Sequence, residues 1–141
     1  MRRVMVGIML VAVVAGLGAC SSGSGGSGGL VGPTWQWNSG STKQPAHQFV
    51  VPDPQNYTIT FADDGTFQAK ADCNQVHGSY TASGSTLTIQ PGPSTLVQCG
   101  AASLGDEFTT LLHTVGSYKV DGSDLTLTFL ADAGELQFHQ A

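Results

Sequence analysis

The chain has 141 residues, ten of them acidic and five basic, and its formal net charge is -5 at pH 7. Arg2 and Arg3 lie at the start of the chain, so the rest carries only the lysines Lys43, Lys70 and Lys119 against all ten acidic side chains. This balance excludes a basic surface for nucleic acid. The length is enough for one domain of ordinary size.

The start of the chain has the pattern of an export signal. The charged residues Arg2 and Arg3 precede an apolar run at 4–14, which is too short for a membrane-spanning helix of about 20 apolar residues. The following Leu17-Gly18-Ala19-Cys20 resembles the bacterial lipobox. We predict that residues 1–19 are removed as a signal peptide and that Cys20 carries fatty acids such as palmitate, because two acyl chains give stable membrane anchoring.

A flexible tether is expected after the modified cysteine. Residues 21–29 contain only serine and glycine, so they have no apolar surface to bury. The tether is predicted to span residues 20–33, and the folded domain residues 34–141. These features predict a protein of the bacterial cell envelope, anchored by lipid on the extracytoplasmic side of a membrane.

The first predicted strand is Trp35-Gln36-Trp37, where apolar and polar residues alternate with the period of a half-buried strand. The next segment, Ser39 to Gln55, contains three prolines and is predicted to be a long irregular connection, with a short edge strand at 48–51. A connection of this length is often functional or mobile.

Four further segments show the same alternation and are predicted strands: 57–61, 87–89, 125–129 and 136–138. Glycine and Asx residues typical of tight turns lie at 63–65, 83–85, 121–124 and 132–134. Short connections of this kind join neighbouring antiparallel strands, so the expected fold class is mainly β and the sheet a meander.

One segment has helical periodicity instead. Its apolar residues fall on one face of a helix between Ser103 and Val115, at Leu104, Phe108, Leu111, Leu112 and Val115. Ser103 and Asp106 resemble a capping box at its start, and Gly116 is placed to end it. We predict a single helix that packs this apolar face on the sheet.

Cys73 and Cys99 are the two cysteines that remain once Cys20 carries lipid. Thiols outside the cytoplasm tend to be oxidised, so we predict a disulfide between them, worth roughly 3 to 4 kcal/mol of stability. Two alternatives use the same residues. Cys73 could be a nucleophile with His77 as its base, although no third orienting group accompanies them. With Cys99 and His113 they could instead bind zinc, although the spacing matches no recognised zinc motif.

Several pieces of the chain together resemble a known family: Ile59-Thr60-Phe61, Asp64-Gly65-Thr66-Phe67, Leu87-Thr88-Ile89, Leu125-Thr126-Leu127 and, most specifically, Cys73-Asn74 followed by Gly78-Ser79-Tyr80. From about Thr34 to the C terminus the chain is similar to the META domain family, also called HslJ-like. The family commonly has Gly directly before the Cys-Asn pair, where this chain has Asp72.

The resemblance implies a small antiparallel β-roll or partly open barrel with one helix, found in exported bacterial proteins and often on lipoproteins. It implies no established catalytic activity, so no catalytic residue carries over, and no cofactor or metal is expected. A loose link with envelope stress is also implied. By its own chemistry, the Asn74 amide is expected to bond nearby backbone and hold a turn that lets Gly78 and Tyr80 re-enter the sheet.

The function expected is that of a non-enzymatic, monomeric accessory or binding domain. Its partners would be the membrane, through lipid on Cys20, and an unidentified envelope protein or small ligand. A first alternative is an inhibitor that inserts an acidic or polar loop into a secreted cell-wall hydrolase. A second is a carrier whose barrel holds a small apolar ligand, with Trp35 and Trp37 reporting its binding.

Overall fold

The computed structural model describes residues 29–141, which form nine β-strands, one α-helix and two short 3-10 helices. The strands are β1 Thr34–Lys43, β2 Ala46–Val50, β3 Tyr57–Phe61, β4 Thr66–Ala71, β5 Asn74–Ser83, β6 Thr86–Ser94, β7 Val115–Asp121, β8 Asp124–Phe129 and β9 Gly134–Gln140. The helix α1 spans Gly105–Leu112, and the 3-10 helices span Pro54–Asn56 and Leu130–Asp132. In this part of the chain no helix combines the length and apolarity that crossing a bilayer requires.

The strands form one antiparallel sheet in the order β2-β1-β3-β4-β5-β6-β7-β8-β9. An additional pairing of β1 with β9 closes the sheet into a ring. The ring is weakest between β6 and β7, where the ladder consists of one residue pair, Thr86 opposite Ser117. A hydrogen bond from the Tyr118 N–H to the Ser85 carbonyl (2.9 Å) supports this seam. The predicted fold class, a mainly β, partly open barrel with one helix, is confirmed.

The two ends of the barrel differ in what they carry. Successive antiparallel strands put alternate connections at opposite ends. The chain enters at Leu30 to Thr34 beside the turns at 62–65 and 122–123, since the Gly32 N–H bonds the Phe61 carbonyl (3.1 Å). We call this the N-terminal end. The β4–β5 turn, the segment after β6 and the start of α1 lie at the other end, which we call the helix end.

Alternation along the strands fills the barrel interior with apolar side chains. The large side chains that are fully buried include Trp35, Trp37, Phe61, Phe67, Phe108 and Phe138. Trp37 stacks on Phe108, with ring centroids 5.1 Å apart, and meets Tyr57 edge to face at 5.8 Å. Burial of each such ring contributes about 2 to 3 kcal/mol, which makes this aromatic cluster the centre of the fold.

Helix α1 is shorter than predicted at both ends. Its apolar face is confirmed, because Phe108 and Leu112 are fully buried against the sheet. The capping box is wrong: the Ser103 hydroxyl accepts a hydrogen bond from the Gly105 N–H (3.2 Å), and Leu104 is the N-cap residue without a side-chain cap. Gly116 does not end the helix either, since it belongs to β7. Val115 is buried because it is the first residue of β7, and its fit to the helical pattern was a coincidence.

The prediction of a long irregular connection from Ser39 to Gln55 is also wrong. Residues 39–43 complete β1, which turns at 44–45 into β2, so a hairpin occupies most of the segment. The predicted edge strand is confirmed at Ala46–Val50. Serine and glycine have low strand propensity, and here pairing of 39–42 with β9 on one side and 39–43 with β2 on the other overrides it.

The folded domain begins before the predicted boundary at Thr34. Leu30 is fully buried, and its carbonyl accepts a hydrogen bond from Trp35 Nε1 (3.0 Å). Val31 forms an isolated bridge with Phe61. Residues 30–33, assigned to the tether, are therefore part of the domain. The predicted signal peptide and the lipidated Cys20 lie outside the described residues.

Candidate functional site

The predicted disulfide is present at the helix end. Cys73 and Cys99 are bonded, with Cα atoms 5.5 Å apart. Both sulfurs therefore belong to the disulfide. This excludes the alternatives in which Cys73 is a nucleophile or in which the two cysteines bind zinc. His77 lies exposed on β5, and His113 lies exposed directly after α1. Within residues 29–141, the structure gathers no three His, Cys, Asp or Glu side chains that could hold a metal ion.

Cys73 belongs to the two-residue turn between β4 and β5. The preceding Asp72 has φ +62°, in the left-handed region that glycine occupies without strain and that Asp tolerates better than most residues. The turn is further held by the Asp72 N–H, which donates to the Asn56 carbonyl (2.7 Å). This geometry explains how Asp72 can stand where the resembling family commonly has glycine.

Asn74 uses its whole amide to hold a distant segment of chain. Its Nδ2 donates to the Val97 carbonyl (2.9 Å) and to Cys99 Sγ (3.3 Å). Its Oδ1 accepts from the Val97 N–H (2.7 Å) and from the Thr95 hydroxyl (3.0 Å). The expectation that Asn74 stabilises its own turn is therefore wrong, because its partners lie more than twenty positions away along the chain.

These bonds define what we call the disulfide loop, residues 95–104. Thr95, the first residue of the loop, is held beside β5 by two hydrogen bonds. The Thr95 N–H donates to the Gln75 carbonyl (3.1 Å), and the Gln75 N–H donates to the Thr95 hydroxyl (3.0 Å). At the other end, the Leu104 N–H donates to the buried Tyr57 hydroxyl (2.9 Å). The loop thus lacks regular structure but is fastened at both ends and at its centre.

The start of α1 packs closely on the end of β4. Gly105 is buried, and a Cβ at this position would lie 2.8 Å from the Ala71 carbonyl oxygen. Only glycine lets the helix approach β4 this closely. Asp106 and Glu107 occupy the first turn of the helix, where negative charge is favourable.

A groove of about 520 Å³ lies between the disulfide loop and α1. Its lining includes Asn74, Val97, Cys99, Ser103, Gly105 and Asp106. A second depression of about 300 Å³ shares Asn74, Gly105 and Asp106 with the first and continues past Leu96 to Thr109. The charged side chain in this lining is the carboxylate of Asp106, so the groove does not favour an anion.

Two apolar side chains of the disulfide loop project into solvent. Leu96 is 93% exposed and Val97 is 57% exposed. Exposed apolar residues are common on protein surfaces when they are single. Here they are adjacent and lie on a segment whose backbone is fixed by a covalent bond and by Asn74, so their position is defined before any partner arrives.

Gly78 and Tyr80 shape β5 below this site. Gly78 lies where the β5–β6 register shifts, and an added Cβ would meet the Gln90 carbonyl oxygen at 2.3 Å. Tyr80 is buried and donates its hydroxyl proton to the Ala62 carbonyl (2.5 Å) at the N-terminal end. The two residues contact separate parts of the barrel and do not contact the turn at Asn74.

Two pKa values are shifted near Tyr80. Burial raises the pKa of the Tyr80 phenol above its ordinary value, and the negative charges of Asp63 and Asp64 add to the effect. The pKa of Asp64 is lowered because its carboxylate accepts hydrogen bonds from the Thr66 hydroxyl (2.6 Å) and N–H (2.9 Å). These groups stabilise the β3–β4 turn and are remote from the groove.

Cys73, Asn74 and Cys99 were predicted from the sequence as site residues, whereas the residues that complete the site were not. Thr95, Leu96 and Val97 lie in a stretch with neither strand nor helix periodicity. No sequence pattern therefore indicated that Asn74 would fix the backbone of this stretch by hydrogen bonds. The available signal was the pair of prolines at 91 and 93, which indicates an irregular strand and lies in the last four residues of β6, just before the loop.

Comparison with known proteins gives a family and a fold. The sequence profile described as META domain matches residues 29–141. A DUF4847 family protein from Bacteroides vulgatus has a similar structure, with a TM-score of 0.59 and 20% sequence identity over 78% of this chain and 93% of that one. A protein from Burkholderia xenovorans has a TM-score of 0.60 and 17% identity over 79% and 83% of the two chains. Comparison with curated proteins finds no match.

Proposed function

The chain belongs to the META domain family, and on this premise we propose that it is a non-enzymatic binding module of the bacterial cell envelope, attached to a membrane by lipid on Cys20. In this proposal the disulfide loop contacts a partner protein. The observation that carries it is the exposure of Leu96 and Val97, 93% and 57%, on a backbone that the disulfide and Asn74 hold in place. A pre-ordered apolar contact loses little conformational entropy on binding.

The point at which the chain enters the domain supports this use of the helix end. The chain enters the domain at Leu30, next to the turn that follows β3. The disulfide loop follows β6 and lies at the other end of the barrel. An anchor upstream of Leu30 would therefore attach at the end of the barrel opposite the loop, so it would leave the loop accessible to a protein partner.

The carrier alternative receives less support from the structure. The barrel interior is occupied by the side chains of Trp35, Trp37, Phe108 and Phe138, all fully buried. Stacking of Trp37 on Phe108 leaves the centre of the barrel to protein atoms. A small apolar ligand would have to displace this aromatic cluster.

The inhibitor alternative required an acidic or polar inserting loop. The segment Ser39 to Gln55, which was predicted to be a long irregular connection, is mostly the β1–β2 hairpin. The disulfide loop carries no charged residue between Thr95 and Leu104. Its exposed side chains favour contact with an apolar patch on a partner over insertion into a polar active site.

The test compares capture of envelope proteins by full-length variants in mild detergent. Substitution of both apolar residues, Leu96→Asp with Val97→Asp, should abolish capture of the partner that the wild type retains. Val50→Asp is the matched control, because Val50 is also apolar and 78% exposed but lies on β2. Equal capture by all three proteins, or equal loss in the control, would contradict the assignment of the disulfide loop as the contact surface.

A further inference from the structure

We infer that the Cys73–Cys99 bond is a thiol–disulfide exchange site with a fixed polarity. An external thiolate attacks Cys73 Sγ, and Cys99 leaves as the thiolate. This inference is independent of the proposed function, because it concerns the sulfur atoms and their hydrogen bonds and does not use the apolar side chains of the loop.

The two bonded cysteines differ in exposure. Cys73 is an exposed residue of the tight turn between β4 and β5. Cys99 is partly buried and contributes to the wall of the groove between the disulfide loop and α1. Exchange rates depend on which sulfur a thiolate can reach, and Cys73 is the more exposed of the two residues.

The sulfur of Cys99, the leaving group, lies beside two hydrogen-bond donors. Cys99 Sγ lies 3.3 Å from the Cys73 backbone N and 3.3 Å from Asn74 Nδ2, and both groups donate to it. Hydrogen bonds strengthen when the acceptor becomes charged. The two donors therefore stabilise Cys99 more as a thiolate than as half of a disulfide, which makes it the better leaving group.

Cys73 Sγ has no comparable support within the described residues. The carbonyl oxygen of Val97 lies 3.7 Å from Cys73 Sγ and 3.5 Å from Cys99 Sγ. A disulfide has no S–H to donate, so these are contacts and not hydrogen bonds. Because the carbonyl is nearly equidistant from the two sulfurs, it does not favour either as the leaving group. The polarity is set by the two N–H donors at Cys99.

The reaction balances with a thiolate as the second reactant. Its sulfur forms a bond to Cys73 Sγ, the Cys73–Cys99 bond breaks, and the electron pair of that bond remains on Cys99 Sγ. A second thiolate then attacks the sulfur of the external thiol in the mixed disulfide, Cys73 leaves, and the two external sulfurs are oxidised to a disulfide. Opening the disulfide removes the covalent constraint from the disulfide loop. The hydrogen bonds of Asn74 then hold the centre of the loop.

The polarity can be measured directly on the full-length protein in detergent. The native protein is treated briefly with a low concentration of reduced glutathione, free thiols are trapped with iodoacetamide, and the peptides are mapped by mass spectrometry. We expect glutathione on Cys73 and the carbamidomethyl group on Cys99. Glutathione on Cys99, or an equal distribution over both residues, would overturn the inference.

A pair of variants separates leaving-group stabilisation from simple fastening of the loop. Asn74→Asp keeps an oxygen acceptor for Thr95 and Val97 but removes the Nδ2 donor and places a negative charge beside Cys99. Reduction by glutathione should slow by about tenfold or more, since hydrogen bonds to charged groups have effects of this size. Thr95→Val loosens the loop but leaves both donors at Cys99, so it should be reduced at least as fast as wild type.

The opposite order of reduction rates in the two variants would contradict the inference. If Asn74 only fastens the loop, Asn74→Asp will be reduced at least as fast as Thr95→Val, and the inference fails. Circular dichroism of the oxidised variants shows whether each is folded. Should Asn74→Asp not fold, the distribution of glutathione on the wild-type protein decides the question by itself.

Discussion

Removal of the disulfide, by Cys73→Ala with Cys99→Ala, should act mainly on the unfolded chain. The cysteines are 26 positions apart, and the chain-entropy relation for a loop of this size gives about 3.5 kcal/mol at room temperature. The native state should change less, because Asn74 keeps its hydrogen bonds to the Val97 backbone, at 2.9 and 2.7 Å. A domain stabilised by about 5 to 15 kcal/mol should therefore remain folded but lose a large part of its stability.

The assay is urea unfolding followed by tryptophan fluorescence, since Trp35 and Trp37 are both fully buried and report global unfolding. The variant should show a lower unfolding midpoint and a steeper dependence of the free energy on urea, because an uncrosslinked denatured chain exposes more surface. A loss below about 1 kcal/mol with an unchanged slope would refute the argument that the bond constrains the unfolded state.

Two further predictions concern packing and pH. Phe108→Ala should cost about 3 to 5 kcal/mol in the same unfolding assay, because the fully buried ring stacks on Trp37; the exposed Thr110→Ala is the control, and equal losses would show that α1 is not docked on the core. The raised pKa of Tyr80, caused first by burial, stabilises the fold fully below the unfolded phenol pKa of about 10, and this contribution is lost as pH rises through the folded pKa. Tyr80→Phe should abolish that part of the alkaline loss in thermal melts; an unchanged alkaline profile would contradict the assignment.

Strands with strict alternation were predictable because the pattern is local. Residues 57–61 are β3 as predicted, and 125–129 lie within β8. Their turns also match, since Asp64 and Gly65 lie between β3 and β4 and Gly122 lies between β7 and β8. Each of these elements is defined by side-chain periodicity and turn chemistry over fewer than ten residues.

Other elements carried no such pattern. β5 contains Gly78 at a register shift, and the second half of β1 consists of Ser39 to Lys43, so neither shows clean alternation. They are strands because neighbours supply partners on both edges. The boundaries of α1 were likewise set by contacts, with Gly105 packed against Ala71 and Val115 taken into β7.

Local sequence patterns were enough to predict a mainly antiparallel β-domain with one amphipathic helix and to identify the two cysteines that pair. The pairing of β1 with β9, which closes the barrel, and the bonds of Asn74 to Thr95 and Val97 across the helix end became evident in the folded chain alone. The difference lies in the range of the interactions. Periodicity and turn propensity are properties of neighbouring residues, whereas barrel closure and the fastening of the disulfide loop depend on which distant segments the folded backbone brings into hydrogen-bonding distance.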